Sequence, residues 1–203
     1  MAFDVDDPGR FTDTVRLSSG ASLTLRFAGV ADTDLLQHYF RTLSDASRYS
    51  RLMGAAPELP HSQLARFVHI GEADAFTVLA SIASDSGETV VGEIRYALHR
   101  AEAAVEFGIS VDDRWHGRGV GIALLSNLEC RAAALGADRI FGDTLRSNAA
   151  MIRLARKCGY EFQPSPYDWK QTRLGKAVDY APQDIPCASW RLAAATRGVA
   201  PAR

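Results

Sequence analysis

The stretch Val111-Asp112-Asp113-Arg114-Trp115-His116-Gly117-Arg118-Gly119-Val120-Gly121 decides how this chain is read. An apolar, β-rich run ends at Val111, and an Ala/Leu-rich run of helical character begins at Val120. Between them, three glycines in five positions let the backbone turn sharply and aim successive N–H groups at one centre. The helix that follows adds the positive end of its dipole, so the segment is an anion cradle suited to a diphosphate. Two familiar phosphate loops are excluded. No Lys-Ser or Lys-Thr follows the glycines, as a P-loop requires. The dinucleotide spacing Gly-x-Gly-x-x-Gly fails because Ile122 and Leu124 stand where its third glycine belongs.

Upstream of this stretch, Ala75 to Ser84, Thr89 to Leu98 and Ala103 to Val111 read as three strands. The first two are divided by the turn sequence Asp85-Ser86-Gly87-Glu88, so an antiparallel meander is expected. Ala21 to Phe27 alternates polar and apolar residues and reads as an earlier strand. Asp32 then resembles an N-cap, with Leu35, Leu36, Tyr39, Phe40 and Leu43 at helical spacing behind it. A second short helix is expected from Ser62 to Gly71. Downstream, Val120 to Leu135 reads as a helix closed by Gly136. A short strand at Asp138 to Phe141 and a helix at Asn148 to Lys157, ended by Gly159, complete the pattern. Pro164 to Pro186 has no clear period and is expected to be a long loop before a last strand near Ser189 to Leu192.

The chain has 203 residues, 47% of them apolar and 23% charged, with a formal net charge of −1. These values suit one globular domain with a substantial core. The expected division is a leader at 1–20 able to add an edge strand, a domain at 21–195 and a tail at 196–203. Near-neutral charge argues against nucleic acid as the main partner. No apolar run approaches the roughly 20 residues that span a bilayer, and the N-terminus carries Asp4, Asp6 and Asp7 rather than a basic then apolar leader. A cytoplasmic protein with no membrane partner is therefore expected. Cys130, Cys158 and Cys187 are odd in number and lack metal-ligand spacing, so reduced thiols and no metal site are expected.

His116-Gly117-Arg118-Gly119-Val120-Gly121 resembles the acyl-CoA loop Gln/Arg-x-x-Gly-x-Gly/Ala of the Gcn5-related N-acetyltransferases (GNAT), with His116 in place of Gln or Arg. A second match is independent of the first. Asn148 to Tyr160 resembles the family's Asn-led helix that ends in Gly-Phe/Tyr. The resemblance implies an α+β fold, a three-layer sandwich whose mixed, mostly antiparallel central sheet is flanked by helices. It implies acetyl-CoA as cosubstrate, with no metal. The backbone of Ile109 and Val111 would pair with the pantetheine arm. His116, Gly117, Arg118, Gly119, Val120, Gly121 and Ile122 would surround the diphosphate, and Asn148 would bond the arm or the loop while capping its helix. The tyrosine that many relatives place seven residues after this asparagine is absent, because the position is Ala155. Water, Tyr160, Tyr167 or direct departure of the thiolate must serve instead.

Within the superfamily, Leu43 to Leu52, the Glu106 strand with Asp113 to Gly119, and Met151 to Gly159 are similar to the catalytic domain of bacterial Pat-type protein lysine acetyltransferases. The resemblance covers about residues 20 to 163. It implies a primary amine as acceptor, a protein lysine foremost, with an acetyl-CoA synthetase-like protein as a partner. A homodimer is compatible with it. A small amine such as a polyamine or antibiotic, and a non-catalytic acyl-CoA sensor, are the competing readings. A lysine amine with a reference pKa of about 10.4 must lose a proton before it attacks. Glu106, flanked by apolar residues on the strand before the loop, is the first candidate base, with burial expected to raise its pKa. Glu93 is the second candidate, or else an ion-pair partner. His99 and His116 are possible relays, and Tyr167 and Trp169 possible ligand-stacking residues.

Overall fold

A computed structural model of the chain describes residues 11–85 and 87–197. Residues 1–10 of the expected leader, Ser86 of the expected turn and residues 198–203 of the expected tail lie outside them. Eight strands form one sheet in the order β1-β2-β3-β4-β5-β6-β8-β7. The strands are β1 (Asp13–Arg16), β2 (Ser22–Phe27), β3 (Ala75–Ser84), β4 (Gly87–His99), β5 (Ala104–Val111), β6 (Arg139–Leu145), β7 (Glu161–Pro164) and β8 (Gln171–Ala177). Three helices, α1 (Thr33–Thr42), α2 (Asp45–Leu52) and α3 (His61–Val68), lie between β2 and β3. The others are α4 (Val120–Leu135), α5 (Ala149–Lys157) and α6 (Ala188–Arg197). The expected meander is present: β3, β4 and β5 pair antiparallel in sequence order. The β5–β6 pairing is parallel, with α4 as its crossover.

The sheet is covered on both faces. One face carries a core of Ile94, Val105 and Ile140 under Leu124, Leu125 and Leu128 of α4. The other packs Leu79 against Leu36, Tyr39 and Phe40 of α1 and Leu64 and Phe67 of α3. Each such side chain, removed from water, contributes about 1.5–3 kcal/mol before chain entropy is counted. Alternation along β4 assigns neighbours to opposite faces: the Cβ that Gly92 lacks would meet Val120 and Leu124, while Arg95 rests on Phe67.

Four expectations are corrected. The segment Pro164 to Pro186 contains β8, which inserts between β6 and β7; of its side chains only Leu174 is buried, so it shows little apolar period. The expected last strand is instead helix α6, anchored by Trp190, which stacks on Phe11 at 4.3 Å and on the buried guanidinium of Arg131 at 4.5 Å. Three helices, not two, follow β2. The extra helix, α2, is polar in sequence and held by local bonds: Ser44 caps it, and Arg48 donates to the carbonyls of Phe40, Leu43 and Ala56. Finally, Cys130 and Cys187 form a disulfide with Cα atoms 6.0 Å apart, leaving Cys158 as the free thiol. Packing of α6 on α4 brings together two cysteines that are 57 residues apart in the chain.

Candidate active site

A cleft of about 1930 Å³ opens where β5 and β6 part. Their ladder runs Ala104–Arg139, Val105–Ile140, Glu106–Phe141 and stops. From Phe107 to Val111, β5 is paired only with β4. Successive peptide groups of a strand face opposite edges. The Asp112 N–H donates back to Val91 O on β4 at 2.9 Å, so the odd-numbered residues Phe107, Ile109 and Val111 face the open edge. Gly142 marks the point of parting, because a Cβ there would lie 2.6 Å from Phe107 O. An extended amide chain can pair with such an exposed edge as a strand would.

The glycine loop closes one end of this cleft. Asp112 accepts from the Arg114 N–H and side chain, and Asp113 accepts from Ser44 N–H, Ser44 Oγ and Ser47 Oγ at 2.7–3.0 Å, which ties the loop to α2. Burial pulls both carboxyl groups up, yet these hydrogen bonds win and hold them below the ordinary value of 3.8. Gly117 and Gly119 have φ of +74° and +97°, a region that side-chain-bearing residues rarely occupy, and a Cβ on Gly117 would meet nothing within 4 Å. The N-terminus of α4 begins at Val120, directly after Gly119. The loop therefore offers open space over a helix N-terminus, and a diphosphate fits it.

Individual loop residues divide by role. Gly121 lines the cleft, but its missing Cβ is needed elsewhere, since it would fall 2.8 Å from Leu154 Cδ2 of α5. Ile122 lines the cleft, whereas the Val120 side chain is wholly buried. Arg118 rests its guanidinium 5.1 Å from the Trp115 ring. The His116 ring folds back, and its Nε2–H donates to Val111 O at 2.9 Å, occupying one acceptor of the open strand edge. Asn148 caps α5 by accepting from Met151 N–H at 3.1 Å and lines the cleft beside Arg153 and Lys157.

Glu106 is the last residue of β5 paired with β6 and lines the cleft at the point of parting. The burial expected for it is not found. Its side chain is 48% exposed, and Oε2 lies 3.0 Å from His99 Nε2. Glu93 is the buried carboxylate, fully shielded and bound by Arg51 Nε at 2.6 Å and by Ser110 Oγ at 2.6 Å. Tyr39 OH continues this network to Ser110 at 3.0 Å, and burial followed by the Glu93 charge pushes its hydroxyl well above the ordinary value. Burial opposes the Arg51 charge, but the Glu93 carboxylate more than offsets it. Glu93 is thus a buried ion-pair residue behind the cleft lining, and of the two carboxylates Glu106 is the one that faces the cleft.

Ala155 is fully buried in α5. Tyr160 is buried against Phe107 outside the cleft lining, and burial followed by the Glu129 charge pushes its hydroxyl far up. Tyr167 lines the cleft and is 81% exposed, while Trp169 is exposed beyond it.

The chain has counterparts among known proteins in sequence and in fold. The sequence profile described as the acetyltransferase (GNAT) family matches residues 36–160. This chain belongs to the GNAT family. The GNAT enzyme described here is similar to the GNAT domain of the S. lividans PAT protein, with 25% identity, a TM-score of 0.76, and 84% of this chain and 99% of that one covered. A phosphinothricin acetyltransferase from Sinorhizobium meliloti, solved with AcCoA, matches at 25% identity and TM-score 0.59 over 77% of this chain and 88% of that one. Ribosomal-protein-S5-alanine acetyltransferase from Vibrio fischeri shares the fold at TM-score 0.62, with 15% identity over 77% of this chain and 93% of that one. The chain is an acyltransferase, and acetyl-CoA is the cosubstrate of its family. Among the described residues, no helix is long and apolar enough to cross a membrane.

Several cleft residues lay beyond sequence reasoning: Arg51, Ser110, Arg66 and Arg95, Arg16 at the end of β1, and Leu17 just after it. The resemblance of Leu43 to Leu52 was the available signal for Ser44, Ser47 and Arg51. Their bonds to Asp113 and Glu93 give that segment a physical role as the clamp that ties α2 to β4 and to the loop after β5.

Proposed function

We propose that this GNAT enzyme transfers acetyl from acetyl-CoA to a primary amine, foremost that of a protein lysine, with Glu106 as general base. The amine nitrogen attacks the thioester carbonyl carbon, the C–S bond breaks, and the proton from nitrogen passes to Glu106 and onward toward His99. An ammonium with a reference pKa of about 10.4 cannot attack, so proton removal at this point is required. The observation that carries the reading is the location of Glu106 on the last rung before β5 and β6 part. Beyond that rung, the edge groups of Ile109 and Val111 suit the pantetheine amides, and Gly117 to Ile122 suit the diphosphate. Asn148 fixes the start of α5 beside them. The thiolate, with a reference pKa of about 8.5, leaves with a proton from water or from exposed Tyr167.

The breadth of the cleft and the likeness to the S. lividans PAT domain support a protein acceptor. A small amine is the second reading, favoured by exposed Tyr167 and Trp169, which are available to close on a ligand. Mass spectrometry of candidate acceptors, including an AMP-forming acetyl-CoA synthetase, after incubation with enzyme and acetyl-CoA separates the two. Acetyl-lysine on the protein supports the first reading, and acetylation of free amines alone supports the second.

A further inference from the structure

On the α3 side of Glu106 the cleft gathers three guanidinium groups, and among the described residues two of them have no carboxylate partner. Arg95 leaves β4 opposite Gly108, one diagonal from Glu106 in the β4–β5 ladder. Its Nη1 donates to Thr77 Oγ1 at 3.3 Å, and its guanidinium rests 5.1 Å from the Phe67 ring centroid. Arg51 rests 5.3 Å from the same centroid, but its charge is engaged by Glu93. Arg66, exposed on α3, is the third. Among the described residues neither Arg95 nor Arg66 makes an ion pair.

The acidic groups facing this cluster are accounted for. Glu93 is held by Arg51, Asp74 by Arg100, and Glu106 lies against His99. Glu72, 69% exposed at the rim, lies 4.0 Å from His69. Burial, then the charges of Arg66 and Arg51, push the Arg95 guanidinium below its ordinary value, with Glu93 and Glu72 opposing. A half-buried cation crowded by two others lowers its free energy by taking an anion.

The floor between cation and base carries no side chain of its own and is covered by the Arg51 guanidinium. Gly108 lies there without a side chain, and a Cβ on it would meet Arg51 Nη1 at 2.7 Å. The anion cannot be the CoA diphosphate on this geometry. Arg95 and Phe67 share the α3 face of the sheet, whereas the glycine loop leads into α4 on the other face. Diagonal positions in an antiparallel pair are about 7–8 Å apart, a span that a lysine-like side chain bridges.

We propose that Arg95, assisted by Arg66 and Arg51, binds a carboxylate carried by the acceptor near its reacting amine. The inference rests on the acetyl-transfer reading and narrows its substrate class. Amines beside an acid group are acceptors, and polyamines are repelled. The carboxylate belongs either to a free amino-acid-like molecule or to an acidic residue next to a lysine.

The test compares Nα-acetyl-lysine with its C-terminal amide, which differ in this group alone, and an acid-flanked capped lysine peptide with its amide-flanked counterpart. Cadaverine is the cationic control. The acid form of at least one pair is expected to show about tenfold higher kcat/KM, most of it in acceptor KM. The pair that responds names the source. Arg95→Gln is expected to bring the ratio near one without changing KM for acetyl-CoA, and Arg95→Lys to restore part of it. Arg66→Gln, an exposed change that leaves packing untouched, is expected to lower the ratio less. Equal use of acid and amide forms, preference for cadaverine, or a ratio unchanged in Arg95→Gln overturns the proposal. Calorimetric binding of Nα-acetyl-lysine to the CoA-loaded enzyme is the readout independent of turnover. Tighter binding of the acid form without transfer upholds the carboxylate site and overturns the acetyl-transfer reading, and equal binding of both forms overturns the carboxylate site.

Discussion

Replacing Gly142 with alanine tests the geometry on which the site depends. A Cβ at this position falls 2.6 Å from Phe107 O and 3.2–3.3 Å from Phe107 ring carbons. The nearest atom is backbone, so no side-chain rotation relieves the contact, and β5 and β6 must separate by several tenths of an ångström. Overpacking of this kind costs about 1–3 kcal/mol, and a backbone contact belongs toward the upper end. For a chain of this size, about 2–3 kcal/mol lowers Tm by about 4–12 °C. Gly175, in neighbouring β8 opposite Phe141, is the control, because a Cβ there meets nothing within 4 Å. Alanine at 175 is expected to be neutral or to stabilise by up to about 1 kcal/mol through lost unfolded-state freedom. Calorimetric melting of both variants is the assay, with acetyl-CoA KM measured alongside. Widening the strands at their point of parting is expected to raise that KM in Gly142→Ala while leaving it unchanged in Gly175→Ala. Equal melting of Gly142→Ala and the parent would show that β5 and β6 are not in close contact at this point.

Other predictions follow from the same contacts. Gly117→Ala leaves packing intact but forces a side chain to φ +74°, so acetyl-CoA affinity measured by calorimetry is expected to fall while Tm drops by only a few degrees. The carboxyl groups of Asp112 and Asp113 are depressed in the folded state, so they add stability above their unfolded value of about 3.8, and it is lost as pH falls through the folded values. Melting temperature is therefore expected to drop below about pH 4, and Asp113→Asn to flatten that drop; an unchanged slope contradicts the α2 clamp. Ellman titration in denaturant without reductant is expected to find one thiol per chain, and reduction to remove about 2–4 kcal/mol of stability. Three reactive thiols would remove the Cys130–Cys187 bridge.

The central part of the fold was legible because its signals are local and strong. The expected bounds of β3 and α4 coincide with the observed ones, since Ala75 to Ser81 form a buried, mostly apolar run and Gly136 ends α4 in the left-handed region. The periphery was not legible, for physical reasons that differ by element. Helix α2 has little apolar stripe and depends on Arg48 reaching three carbonyls. Strand β8 buries Leu174 but little else, and α6 is set by Trp190 meeting Arg131 and Phe11 across the fold. In the site, the glycine loop and Asn148 follow from backbone requirements that sequence displays directly. Glu106 and Glu93 carry the same side chain on adjacent strands, and only tertiary packing distinguishes them: Arg51 from α2 and Ser110 enclose Glu93, whereas Glu106 stays half exposed beside His99. The cysteine pairing likewise depends on how α6 lies on α4, which no spacing rule encodes.

The proposed transfer of acetyl from acetyl-CoA to an amine, with Glu106 taking the proton, is open to direct test. Its most direct measurement is CoA thiol release by purified parent and Glu106→Gln, with an AMP-forming acetyl-CoA synthetase and a panel of lysine-like amines as acceptors, acetylation being confirmed by mass. Acceptor-dependent release by the parent, a loss of about 100-fold or more in kcat for Glu106→Gln, and unchanged acetyl-CoA affinity are expected. Release at equal rates by both proteins, or no release with any acceptor, would contradict the proposal.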